Sequence, residues 1–459
     1  MKDLKTKCLI CNKICIPNSH LCVKKRKWSN YYGRFEVKVD SEKIKTMLPK
    51  IITKIKLTFE KNSKVSMWDF SNLLPATKKI DLGEGGTPIH HVKYYLKKYK
   101  INLFIKNEGV NPSSVYKDRE SSIVINRCLE IGIRKIALAS TGNAAQSISL
   151  YANKANIQTI LFISGKTSKE KIRKMLNNGA KLIILKDGSM EDAFKANRDL
   201  LKFLKSVGVW DCNPGIDWFR REGSKTIAYE AYAQMKNVPD WIIAACGNGS
   251  SIRAIYKGFQ EMKQAGIINK LPKMVGVQIE GGDPIPKGAI LKQLNKPVEI
   301  KNPPKSLGDS ASASFDYFAA VRAILESKGC GVGVNDKEIA QCVSEYINME
   351  NKLLNSCIPE VVTAQILPAL KKLLDKNIIK QGDSVLLFFS SNAINDRKNL
   401  KELLTKYGYK NAWKKISNLI PVIDDTKNKS KKNEENANTR YVKNDLTDIK
   451  KAISSLMKS

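Results

Sequence analysis

The chain has 459 residues, 42% hydrophobic and 27% charged, a composition that excludes a disordered or fibrous protein and a length that accommodates two or three domains. No apolar stretch approaches the ~18 residues of a membrane span, and the opening MKDLKTKCLICNK lacks the apolar core of a secretory signal. The formal charge of +35 comes from lysines spread along the whole length, whereas nucleic-acid binders concentrate their charge and add exposed aromatics or arginine forks, so a polyanion partner is not expected.

Residues 1–30 are cysteine-rich and then basic. Residues 31–119 form an N-terminal segment leading into a large domain, 120–235 a smaller α/β domain, and 236–420 the rest of the large one. Within this span short apolar runs alternate with stretches of helical period. KIALAS (135–140) precedes AAQSISLYANKA, IQTILFIS (157–164) precedes SKEKIRKMLNNGA, and KLIILK (181–186) precedes MEDAFKANRDLLKFLKSV. The series resumes with WIIAAC (241–246), MVGVQIE (274–280) and SVLLFFSS (384–391), with turn signals such as Asn178-Gly179 at the joins. Such alternation predicts parallel strands with crossover helices, hence two doubly wound α/β domains whose loops at the carboxyl ends of the strands line a cleft. Residues 421–459 read as a polar, flexible linker followed by a short amphipathic helix. Without a secretory signal, the ten cysteines are expected to be reduced thiols in a cytoplasm.

Four loops carry chemistry. The first is Asn111-Pro112-Ser113-Ser114-Val115-Tyr116-Lys117-Asp118-Arg119. Alone, a lysine before Asp-Arg reads as an ordinary helix start. The second, Ser140-Thr141-Gly142-Asn143, places small hydroxyl and amide groups at a helix N-terminus, where outward N–H groups suit a carboxylate. The third, Gly247-Asn248-Gly249-Ser250-Ser251, lets successive N–H groups converge as a phosphate cradle does. The fourth, Ser390-Ser391-Asn392, ends a strand with hydroxyls. With only three histidines, His20, His90 and His91, lysine chemistry gains weight over histidine chemistry.

Together these loops resemble the threonine synthase branch of the tryptophan-synthase-β (fold type II) family of pyridoxal phosphate enzymes. The resemblance runs through LGEGGTPI (82–89), KNEGVNPSSVYKDR (106–119), ASTGNAAQS, FRREGSKT (219–226) and GVQIEGGDPI (276–285), in order, over about residues 75–400. It implies a cofactor in the cleft between two α/β domains, held by Lys117 as a Schiff base. Asn143 would meet the ring hydroxyl, Gly247, Asn248, Gly249, Ser250 and Ser251 the cofactor phosphate, and Ser390 the pyridine nitrogen. Ser140 and Thr141 would take the substrate carboxylate and Arg220, assisted by Asn213, a substrate phosphate. Ser114, Val115 and Glu120 depart from the family's usual Gly, Ser and Gly around the lysine, and Ser391-Asn392 stands where Gly-His is usual.

Relatives resembling this chain often begin with a zinc ribbon, which implies Cys8, Cys11 and Cys22 as ligands, with Cys15 or His20 as the fourth; reduced, metal-free cysteines are the alternative. The resemblance implies conversion of O-phospho-L-homoserine and water to L-threonine and phosphate by a homodimer. Two other readings stay open on the sequence: a dehydratase or cysteine/cysteate synthase type of reaction on serine-like or phosphoserine-like substrates, and a non-catalytic, Lys-rich binding protein on the same fold.

Overall fold

A computed structural model describes residues 5–9, 14–15, 35–140, 142–165, 167, 169–213, 217–294, 296–302, 304–308, 315–349, 355, 357–420 and 438–458. Its strands in chain order are β1 (Lys5–Cys8), β2 (Ile14–Cys15), β3 (Phe35–Lys38), β4 (Ile89–His91), β5 (Asn102–Asn107), β6 (Lys135–Ala139) and β7 (Gln158–Ser164). They continue with β8 (Lys181–Leu185), β9 (Trp210–Asp211), β10 (Trp241–Ala245), β11 (Lys273–Ile279), β12 (Cys330–Val334), β13 (Ser384–Phe389) and β14 (Thr439–Val442). The chain divides into two compact units. One comprises Met1–Pro75, Gly83–Tyr116 and Arg221–Pro421; the other comprises Ala76–Leu82, Lys117–Arg220 and Val422–Ser459.

The first unit holds a six-stranded sheet in the order β12-β11-β10-β13-β5-β4, parallel except for β4, which pairs antiparallel with β5. Buried parallel strands need apolar residues on both faces, because each face is covered by crossover helices. The sequence meets that demand with period two. Ile243, Val275, Val277, Val385 and Leu387 face one core, while Ile242, Ala244, Met274, Leu386 and Phe388 face the other. The second core also takes Ile44, Leu48, Ile52 and Ile55, spaced along one stripe of the Ser41–Glu60 helix, whose N-terminus is capped by the Asp40 carboxylate. A small antiparallel sheet, β2-β1-β3, completes this unit. It is held by Arg253, which forks onto the Glu36 carboxylate at 2.7–3.0 Å.

The second unit holds a parallel five-stranded sheet, β14-β8-β7-β6-β9. Ile136, Leu161 and Leu182 pack on one face; Ala137, Ile160 and Ile183 pack on the other. The C-terminal strand and the helix Leu446–Lys458 belong to this unit, and Ile449, Ile453 and Leu456 bury themselves beside Ile183 and Leu185. The 421–437 part of the expected linker lies outside the described residues. No helix among the described residues is long and apolar enough to cross a membrane.

Candidate active site

In the first unit three strand-end loops meet. The turn after β10 brings the chain into the helix Ser250–Gln264 through Gly249, whose φ of +95° is open to glycine. A Cβ there would stand 2.8 Å from the Ala320 Cβ and 3.0 Å from Ile285 Cδ1. The turn is fixed by Asp316, whose N–H donates to the Asn248 carbonyl at 2.7 Å, and by the Asn248 side chain, which accepts from the Ser250 N–H at 3.1 Å. Ser250 and Ser251 are buried at the start of this 15-residue helix, where the dipole favours an anion. Glycine, helix N-terminus and buried hydroxyls make a donor set that fits a phosphate group.

The loop that precedes the lysine lies alongside. The Tyr116 N–H donates to the Ser390 carbonyl at 2.8 Å, and its phenol lies 3.1 Å from the Ser250 hydroxyl. Val115 bridges Ser391, and the Asn392 N–H donates to the Ser114 carbonyl at 3.1 Å. Ser114 holds φ at +63°, a conformation costly for a side chain with a Cβ. Ser390 is buried with its hydroxyl 2.7 Å from that of Thr363, which also meets Ser391 at 2.8 Å. Thr363 carries no sequence signal; only the fold brings it to the end of β13.

In the second unit Lys117 opens the helix Lys117–Glu130. Its Nζ donates to Glu120 Oε2 at 2.8 Å, and Arg220 Nη1 lies 3.9 Å from that same oxygen. All three residues are buried, with Glu120 only 1% exposed. Residues three apart on a helix share a face, so Glu120 was recoverable as a partner of Lys117 from spacing alone. Arg220 also donates from Nη2 to the Cys212 carbonyl at 3.0 Å, while its buried Nε has no hydrogen-bond partner among the described residues. Asp118 accepts from Ser147 at 2.6 Å, tying the lysine's helix to the helix Asn143–Lys154.

Asn143 begins that helix behind Gly142, and the Ser140 hydroxyl accepts from the Gly142 N–H at 3.4 Å. Thr141 lies outside the described residues. Asn213 is engaged in its own loop: its oxygen accepts from the Ala139 N–H at 2.9 Å and its amide donates to Asp211 at 2.7 Å. Its place is behind the end of β6. Burial pushes the Asp211 carboxyl up to about 6, against the lowering effect of its Asn213 hydrogen bonds. Burial also raises Asp217, although Arg220 and Arg127 oppose the shift.

The zinc expectation finds no support. Cys8 is buried in β1, but Cys11, Cys22, His20 and the Cys15 side chain lie outside the described residues. Among the described residues no group of histidine, cysteine and acidic side chains is arranged to hold a metal ion.

Comparison with known proteins gives these loops their context. A family model for pyridoxal-phosphate-dependent enzymes matches residues 80–391. The threonine synthase of Methanosarcina acetivorans is 31% identical over 371 residues, covering 80% of this chain and 85% of that protein. That of Methanocaldococcus jannaschii is 32% identical over 377 residues, covering 79% and 87%. Among solved structures, an L-serine ammonia-lyase from Rhizomucor miehei superposes with a TM-score of 0.58 at 18% identity, over 70% of this chain and 98% of that one. Threonine deaminase isoform 2 from Solanum lycopersicum gives 0.58 at 17% identity, over 82% and 98%. These two likenesses establish the fold alone. With the family model spanning most of the chain and the archaeal relatives above 30% identity, the chain belongs to the pyridoxal-phosphate-dependent enzymes, as a threonine synthase-like lyase.

Proposed function

We propose that the protein converts O-phospho-L-homoserine and water to L-threonine and phosphate. The observation that carries this reading is the buried Lys117–Glu120–Arg220 cluster, in which an amine and a guanidinium approach one carboxylate oxygen at 2.8 and 3.9 Å. An amine suits the cofactor aldehyde, and an arginine fork whose Nε has no partner among the described residues suits a substrate phosphate. The names of the archaeal relatives support the same reaction.

In this reading Lys117 anchors the cofactor, and its Nζ moves the substrate's protons, a task that falls to lysine where histidines are scarce. Gly247, Asn248, Gly249, Ser250 and Ser251 hold the cofactor phosphate by backbone N–H groups and hydroxyls. Asn143 meets the ring hydroxyl. Ser390, oriented by Thr363, meets the ring nitrogen, and a neutral hydroxyl there does not hold that nitrogen protonated as a carboxylate would. When bound, pyridoxal phosphate supplies an electron-withdrawing ring that acidifies the substrate's Cα–H bond. Ser140 and Thr141 bind the substrate carboxylate, and Arg220, assisted by Asn213, binds its phosphate. In the net reaction the Cγ–O bond to phosphate and one Cβ–H bond break, a hydroxyl from water ends on Cβ, a proton ends on Cγ, and the remaining proton of water leaves with the phosphate. The enzyme is proposed to work as a cytoplasmic homodimer.

Elimination on serine-like substrates is the second reading, favoured by the negative charge that Glu120 places beside Arg220. Supplying each candidate amino acid to the purified enzyme separates the two. Phosphate and threonine from phosphohomoserine, lost in R220A, support the first. Ammonia and a 2-keto acid from serine, with phosphohomoserine left intact, replace it with the second.

A further inference from the structure

Glu120 has no role in the reaction as proposed, yet it is the residue that ties the two key cations together. Its Oε2 accepts from Lys117 Nζ at 2.8 Å and stands 3.9 Å from Arg220 Nη1. The carboxylate is 1% exposed and the guanidinium 2%, so water screens the pair weakly. Arg220 also donates to the Cys212 carbonyl at 3.0 Å and acts on the buried Asp217 carboxylate, and its buried Nε has no hydrogen-bond partner among the described residues. A buried guanidinium edge left unsatisfied is costly, and an anion arriving on it would recover that cost. That anion would also come within a few ångströms of Glu120.

We propose that Glu120 is the specificity-determining residue for the anion at Arg220: its carboxylate occupies one side of the guanidinium and sets how tightly a phosphate group binds the other. The inference rests on the reading of Arg220 as the substrate-phosphate residue. In the cofactor-free chain Lys117 also holds Oε2 through the 2.8 Å hydrogen bond, and once Lys117 carries the cofactor Arg220 stays beside that oxygen. A dianion approaching Arg220 meets attraction from the guanidinium and repulsion from Glu120, and the balance keeps affinity for phosphate low enough for the phosphate product to leave. A neutral hydroxyl in that position would meet no such repulsion. Glu120 is therefore a positioning and selecting group that exchanges no atoms with the substrate.

The test is calorimetric titration of the cofactor-loaded enzyme with inorganic phosphate at pH 8, in the unaltered protein, E120Q, R220A and the double variant. Glutamine keeps the shape and an acceptor oxygen beside Arg220 while removing the charge. The expected result is phosphate binding at least about tenfold tighter in E120Q, or ~1.4 kcal/mol. That gain should vanish in the double variant, because Glu120 acts through Arg220. E120D, which keeps the charge, should stay near the unaltered affinity. If E120Q does not accumulate as folded protein, E120A carries the same expectation. Equal affinity in E120Q and the unaltered enzyme overturns the inference, as does a gain that survives in the R220A background. Failure of the underlying reading looks different: R220A alone would then bind phosphate as well as the unaltered enzyme does.

Discussion

The two units build their parts of the chemistry by opposite means. In the first, the Gly247–Ser251 turn is mostly backbone: a left-handed glycine, a helix N-terminus and hydroxyls locked by neighbouring loops. In the second, the Lys117–Glu120–Arg220 cluster is all side chain, assembled from positions three and about a hundred residues apart. A backbone site is intolerant of added volume yet indifferent to charge. A side-chain site tolerates volume better and responds to every change of charge. The contrast gives the substitutions their expected order.

The largest effect is expected at Gly249. An alanine there meets both the left-handed φ and a 2.8 Å approach to Ala320, so G249A should cost about 2–4 kcal/mol. It should weaken pyridoxal phosphate retention in parallel. Chemical denaturation and cofactor titration check this, and an unperturbed variant would mean that the turn is not a tight cradle.

Next comes Asp211 in the side-chain unit. Its carboxyl sits at about 6 in the fold against an ordinary 3.8, because burial disfavours the charged form. A raised carboxyl favours folding below its unfolded value and loses that contribution as pH rises through about 6. D211N removes the titration while keeping an acceptor for Asn213. The variant should therefore be more stable than the unaltered protein at pH 8, by up to about 3 kcal/mol. The difference should fade to near zero by about pH 4, as read by denaturant midpoints. A pH-independent difference would remove charge sensitivity from this side of the comparison.

The smallest effect is expected at Ser114, whose φ of +63° precedes the lysine by three residues. Replacement by glycine relieves the left-handed strain, partly offset by the greater freedom of an unfolded glycine. S114G should gain about 0.5 kcal/mol with cofactor binding unchanged. A loss of stability would show that the serine side chain contributes more than its backbone costs.

The same contrast explains what was legible in the sequence. Strands such as KIALAS, WIIAAC and SVLLFFSS announce themselves because buried parallel strands have to be apolar on both faces, and the loops that follow them could be located accordingly. Gly249 was legible because only a turn into a helix explains glycines there. The cluster was only half legible. Lys117 and Arg220 stood out through family resemblance, whereas Glu120 registered merely as a departure from glycine, although its spacing placed it on the lysine's face. Thr363 and Asp217 left no trace, since their partners are set by tertiary packing. The C-terminal helix showed its apolar stripe, but its docking did not. The four-residue Thr439–Val442 strand that leads to it is short and polar, an edge strand without a hydrophobic run.

The most direct measurement of the central claim is reduction of the purified enzyme with borohydride, followed by peptide mapping. The account predicts a visible band near ~410–420 nm that disappears on reduction, leaving a pyridoxyl group on the peptide that contains Lys117. A label on another lysine, or a colourless protein that ignores added pyridoxal phosphate, would contradict it.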